Sequence, residues 1–259
     1  MTKFALRNDG VRIAYEVSGE GEPVVLVHGF ASDRVQNWRA PGWYQTLNNA
    51  GYQVIALDCR GHGESDKPHD PNMYGHTMMA TDVVAVIQDA SVSRALLMGY
   101  SMGGYISMSL LIKHPELFRK VVIAGVGASY LDLNAAEGAV ADPQRRSAIA
   151  DALLVDDVST ITNETARNFR LFADQPGKDR LALAACMRGS RDVFTREQLG
   201  HSQRPVLVVC GEKDVLTGPP DPLAAAFADG RAVTVPKRDH MTAVGDKVYK
   251  QAVLDFFAA

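Results

Sequence analysis

The chain has 259 residues, 46% of them hydrophobic and 22% charged, which suits one large mixed domain with a buried core. A formal net charge of −3, with lysine and arginine scattered along the chain, gives no basis for a nucleic acid or an anionic membrane as partner. No apolar run approaches the roughly 18 residues that a membrane-spanning helix needs. The opening Met1-Thr2-Lys3-Phe4 lacks the charged and apolar regions of a secretory leader, so a cytoplasmic protein is expected. Cys59, Cys186 and Cys210 are odd in number, widely spaced and without a Cys-x-x-Cys pair. They read as small packed side chains, and neither a disulfide framework nor a metal site is expected.

Residues 4–7 and 11–17 alternate with the period of strands and are joined by the turn Asn8-Asp9-Gly10. After a polar loop over 18–23, Val24-Val25-Leu26-Val27 is a strand fit for burial on both faces, and it ends in His28-Gly29-Phe30. A helix containing residues 38–49 is expected next, stopped by Gly51. The buried strand 54–57 ends in the glycine-rich loop Asp58-Cys59-Arg60-Gly61-His62-Gly63-Glu64-Ser65. Helical spacing over 77–90 leads to a strand over 94–98, a helix over 105–114 closed by Pro115, and a strand over 120–124. From 128 to 203 the pattern changes to short amphipathic helices, at 145–154, 163–172 and 178–187, with no buried strand among them. Pro205 then opens the apolar strand 206–210, followed by a last strand over 231–235 and a last helix over 244–257.

Strands alternating with helices predict an α/β fold: a mostly parallel sheet covered on both faces, with an antiparallel pair at its start. Residues 1–127 and 204–259 form the expected core, and 128–203 a helical lid inserted between strands six and seven. Such sheets bind ligands at the carboxyl ends of their strands. Those ends carry His28-Gly29-Phe30, Asp58, Ser101, Gly125, Asp214 and the loop before His240.

Ser101 lies in Gly99-Tyr100-Ser101-Met102-Gly103-Gly104, between a strand and a helix. This is the Gly-x-Ser-x-Gly nucleophile elbow, whose turn is too tight for a Cβ at either glycine and whose serine is held strained. The Met102 N–H falls at a helix N-terminus, where an anion is stabilised. A serine hydroxyl needs a general base. Of the seven histidines, His240 alone sits on a loop at the carboxyl edge and after the serine in the chain. His28 reads as a shaper of its loop, His62 as an anchor of the loop after Asp58, and His114 as a surface cap. For the carboxylate that orients the base, Asp214 follows the strand 206–210 directly, while Asp239, beside the histidine, is the main rival.

Val27-His28-Gly29-Phe30, the Asp58–Ser65 loop, the elbow, Gly211-Glu212-Lys213-Asp214 and Asp239-His240 occur in the order found in the α/β-hydrolase fold superfamily, which the chain resembles over nearly its full length. The resemblance implies a Ser101–His240–Asp214 triad and an oxyanion hole from the backbone N–H groups of Phe30 and Met102. Ser101 differs from the aspartate that haloalkane dehalogenases and soluble epoxide hydrolases of the superfamily carry at the elbow, and it implies acyl transfer. The expectation is a carboxylesterase-like serine hydrolase acting on a small-molecule ester with a small or medium acyl group, without cofactor. Phe30, Tyr100, Phe169, Phe172, Met187, Phe194 and Met241 are candidate pocket residues. The alternatives are a meta-cleavage C–C hydrolase, for which Arg188 or Arg191 would be the lid arginine, a cofactor-free perhydrolase, and a non-catalytic ligand-binding member of the fold. Met241 stands where the meta-cleavage enzymes usually place a tryptophan.

Overall fold

The computed structural model describes residues 1–137, 139 and 141–259. Lys3–Leu6 (β1) and Arg12–Ser18 (β2) form the antiparallel start, with Phe4 opposite Ala14. Glu22–Val27 (β3) comes next, and Tyr52–Leu57 (β4) pairs parallel with it and antiparallel with β2. Ala95–Tyr100 (β5), Phe118–Ala124 (β6), Val206–Gly211 (β7) and Gly230–Val235 (β8) extend the sheet by parallel pairing. The eight strands run in the order β1-β2-β4-β3-β5-β6-β7-β8.

Every residue of β5 is buried, because both of its neighbours and both sheet faces are covered. Successive side chains enter two different cores. Leu97, Val25, Val27, Ile55 and Leu57 face one core, with Val83, Val86 and Ile87 of His76–Asp89 (α2) and Ile106 and Leu110 of Met102–Lys113 (α3). Leu96, Met98, Leu26 and Val54 face the other, with Trp43 and Leu47 of Trp43–Asn49 (α1) and Tyr249, Val253 and Phe257 of a C-terminal helix.

Between β6 and β7 lie Pro143–Leu154 (α4), Glu164–Ala173 (α5), Arg180–Arg188 (α6) and Arg196–Gly200 (α7). A third apolar cluster, including Ile149, Leu153, Ala166, Leu183 and Met187, holds α4, α5 and α6 together, with Phe30 and Phe169 packed on it. Asp221–Ala224 (α8) precedes β8, and Lys247–Ala258 (α9) ends the fold. Among the described residues no helix is long and apolar enough to cross a membrane. Cys59, Cys186 and Cys210 are free and buried.

The main departures from the sequence reading are three helix boundaries and one additional helix. The helix expected over 38–49 is two pieces, a π-helical turn Val35–Arg39 and then α1, separated at Pro41-Gly42. Pro41 has no N–H to carry the helix ladder on, and Gly42 sits at φ +82°, the left-handed region. Helix α3 starts at Met102, because the backbone of Ser101 turns directly into the helix. Helix α9 starts at Lys247, where the Asp246 carboxylate accepts the Val248 N–H at 2.8 Å. Helix α7 is the additional one; it begins in a capping box between Thr195 and Gln198.

Candidate active site

The loop after β5 is set by steric exclusion. A Cβ on Gly99 would strike the Gly103 carbonyl and the Ser107 hydroxyl, and one on Gly103 would strike the Val27 carbonyl. Strand and helix therefore close on each other across Ser101, which is forced to φ 53°, ψ −115°. Met102 is the first residue of α3, so its N–H has no acceptor within the helix. Gly29, after β3, lies so close that a Cβ there would be 3.3 Å from Ser101 Cβ, which puts the Gly29–Phe30 peptide beside the serine.

His240, on the loop after β8, lies with Nε2 2.9 Å from Ser101 Oγ and Nδ1 2.7 Å from Asp214 Oδ2. A carboxylate only accepts, so Nδ1 carries the ring proton, and in the neutral ring Nε2 is free to accept from the serine hydroxyl. Asp214, just past β7, is buried; its Oδ1 accepts the N–H groups of Leu216 at 3.0 Å and Thr217 at 3.1 Å. Burial pushes the Asp214 pKa up, but the charge and hydrogen bond of His240, with Thr217 and Leu216, outweigh it and hold the carboxyl below its ordinary value. The loop backbone is anchored as well: the Tyr100 hydroxyl donates to the His240 carbonyl at 2.7 Å. Neither Tyr100 nor Thr217 was singled out in sequence for this supporting contact, since each partner depends on tertiary packing.

The other edge residues shape the loops. Asp239 accepts from the N–H groups of Met241 and Thr242 and from the Thr242 hydroxyl, so it caps its own turn rather than facing the ring. His28 Nδ1 lies 2.7 Å from the Gly29 carbonyl and Nε2 accepts the Cys59 N–H at 2.9 Å, which ties β3 to β4. Burial lowers its pKa against the raising effect of Asp58, favouring the neutral ring. His62 donates from Nδ1 to the Arg60 carbonyl at 2.9 Å. Asp58 accepts the Arg34 and Glu64 N–H groups, each at 2.8 Å, and pairs with the Arg34 guanidinium. His114 ends α3, 3.8 Å from Glu116.

A cavity of about 910 Å³ opens on Ser101 and His240. Phe30, Tyr100, Phe169, Phe172 and Met241 line it, as do Glu137, Arg145, Glu164 and Lys213. Tyr100 is only 5% exposed, whereas Met241 is 59% exposed. Met187 lines a second cavity of about 400 Å³, which shares Phe30, Ser101 and Phe169 with the first. Phe194 packs in the core that holds Leu97, α2 and α3. Arg188 pairs with Asp151 at 2.7 Å on the surface, while Arg191 lines the second cavity.

The sequence model of a family described as alpha/beta hydrolase fold matches residues 22–174, more than half of the chain. Human "Epoxide hydrolase 4" is 32% identical over 121 residues, 46% of this chain, and the chain spans only 32% of that protein's length. "3-oxoadipate enol-lactonase 2" from Acinetobacter baylyi is 28% identical over 227 residues, covering 83% of this chain and 80% of the enzyme. The solved structure of "a hydrolase from Pseudomonas aeruginosa PA01" superposes over 100% of this chain and 98% of that one, with a TM-score of 0.80 at 26% identity. The chain belongs to the α/β hydrolase fold family.

Proposed function

We propose that the protein is a serine hydrolase that cleaves carboxylic esters of small or medium acyl groups through an acyl-enzyme. The observation that carries this reading is the unbroken relay from Ser101 Oγ through His240 to Asp214, at 2.9 and 2.7 Å. In the first half-reaction His240 Nε2 takes the Ser101 proton as Oγ bonds to the carbonyl carbon, and the tetrahedral oxyanion forms. The N–H groups of Phe30 and Met102 are its donors, each worth roughly 3–4 kcal/mol when well placed. Collapse breaks the bond to the alcohol, which leaves with the proton from His240. Water, deprotonated by the same nitrogen, then adds to the acyl carbon and releases the acid and Ser101. Asp214 keeps Nδ1 protonated and stabilises the imidazolium.

Residues 128–203 are the helical cap of this enzyme, over a core of 1–127 and 204–259. Phe169 and Phe172 of α5, on the wall of the larger cavity, support that assignment. The enol-lactonase relative is named for cleaving a lactone, which is an internal ester, so the chemistry is of one kind. Three free buried thiols accord with a reducing compartment such as the cytoplasm.

Labelling with a fluorophosphonate probe tests the reading: the wild-type protein is expected to react and the Ser101→Ala variant to stay unlabelled. An unlabelled wild type that also fails to hydrolyse 4-nitrophenyl acetate would overturn it, and would leave a ligand-binding role for the cavity.

A further inference from the structure

The smaller of the two cavities at Ser101 holds more positive charge than its walls neutralise. Arg146 of α4 and Arg191, just after α6, both line it. Arg191 donates from Nη1 to the carbonyls of Gly189 and Ser190, each at 3.0 Å, and from Nη2 to that of Cys186 at 2.9 Å. These carbonyls cap the end of α6 and offer only partial charges. Arg146 has its Nε buried and without a hydrogen-bond partner among the described residues. The carboxylate in the described lining, Asp192, is already engaged by Thr77 at 2.9 Å, Ser109 at 2.6 Å and Lys113 at 3.2 Å.

Two further polar atoms in the same lining are buried and lack partners among the described residues, the Tyr105 hydroxyl and His76 Nδ1. Their rings stack at 5.4 Å and 25°, which fixes both side chains. Burial, and then the charge of Arg191, hold Arg146 below its ordinary pKa. A guanidinium Nε–H and a phenol hydroxyl left buried and unpaired are unfavourable, and an anion with planar geometry satisfies both. Apart from Ser101 and Tyr130, whose hydroxyl accepts the Phe194 N–H, the rest of the described lining, including Met102, Leu133 and Met187, is apolar and fits a short carbon chain leading back to Ser101.

We propose that Arg146, Tyr105, His76 and Arg191 form a carboxylate subsite, and that the ester cleaved here carries a free carboxylate on a short chain, as in a half-ester of a dicarboxylic acid. The reaction assigned to this substrate rests on the serine-hydrolase reading, whereas the anion site rests on the cavity alone.

The experiment compares monoethyl glutarate with its uncharged amide analogue, ethyl glutaramate, by pH-stat, and measures glutarate binding to the full chain by calorimetry. Wild type is expected to favour the half-ester at least tenfold in kcat/KM. In Arg146→Gln that preference is expected to fall tenfold or more, mainly through KM, and in Arg146→Lys to fall less. Glutarate is expected to bind Ser101→Ala and to be lost from the Ser101→Ala/Arg146→Gln double variant, with far-UV circular dichroism confirming that each variant is folded. A wild type that favours the amide and does not bind glutarate overturns the subsite while leaving fluorophosphonate labelling intact. Glutarate binding that is indifferent to Arg146 overturns it equally. Glutarate binding that depends on Arg146 in a protein that takes no fluorophosphonate upholds the subsite and removes the esterase reading.

Discussion

The Tyr100 hydroxyl and the His240 carbonyl, 2.7 Å apart, tie the last residue of β5 to the loop that carries the imidazole. A buried hydrogen bond of this kind has a net worth of about 1 kcal/mol. Tyr100→Phe is expected to lower kcat about three- to tenfold with KM little changed, because the ring loosens while the cavity wall stays. The expected drop in Tm is about 2–4 °C for that free energy in a chain of this size. A change confined to KM would instead make Tyr100 a substrate contact.

Asp214→Asn is expected to lower turnover of 4-nitrophenyl acetate by about 10⁴-fold, since the carboxamide no longer secures the tautomer with Nδ1 protonated. Asp239→Asn, by contrast, is expected to stay within about threefold, because that carboxylate caps its own turn. Steady-state kinetics on the two variants separates the roles, and a large loss at Asp239 would reverse them.

The elbow glycines give a stability prediction. Ala at 103 would drive its Cβ into the Val27 carbonyl, and backbone has little room to give. Gly103→Ala is expected to cost about 3 kcal/mol or more, read as a fall in the urea midpoint, and to abolish fluorophosphonate labelling. Gly177→Ala is the control. Its Cβ meets nothing within 4 Å, and its φ of +84° carries only the left-handed penalty of about 1 kcal/mol.

Acid sensitivity follows from buried imidazoles. Burial, then the charge of His28, lower the His62 pKa from 6.5 to about 3, and burial lowers those of His28 and His76 as well. Below pH 6.5 the unfolded chain takes up protons that the native one refuses, so stability is full above that pH and declines as the pH falls toward 3. Each such group contributes up to about 1.4 kcal/mol per pH unit. His62→Gln is expected to make the decline of the urea midpoint between pH 6.5 and 4 shallower. An unchanged slope would show that His62 is charged in the native state.

What was legible in the chain was whatever a local rule enforces. The glycines at 99 and 103 are required by contacts within one strand–turn–helix unit, and β-branched runs mark strands buried on both faces. The ends of β7 and β8 then put Asp214 and His240 at the edge that carries Ser101. The break in the helix around residue 41 was also written locally, in Pro41-Gly42, but the apolar spacing of Trp38, Trp43 and Leu47 obscured it. Arg146 was not legible. On α4 it looks like one of a solvated run, Gln144-Arg145-Arg146, and only the packing of α4 over Tyr105 and Arg191 turns it inward. Tyr100 is the variable residue of its motif, and its hydrogen-bond partner lies 140 residues further on.

Phe30 and Phe169 meet edge to face with ring centroids 5.9 Å apart, and both border the two cavities that share Ser101. They act as a septum, with one leaf from the loop after β3 and the other from α5. Neither room has a wall of its own at this point, so enlarging one side reshapes the other. For the half-ester proposed above, selectivity at the two cavities is therefore coupled through this one aromatic contact.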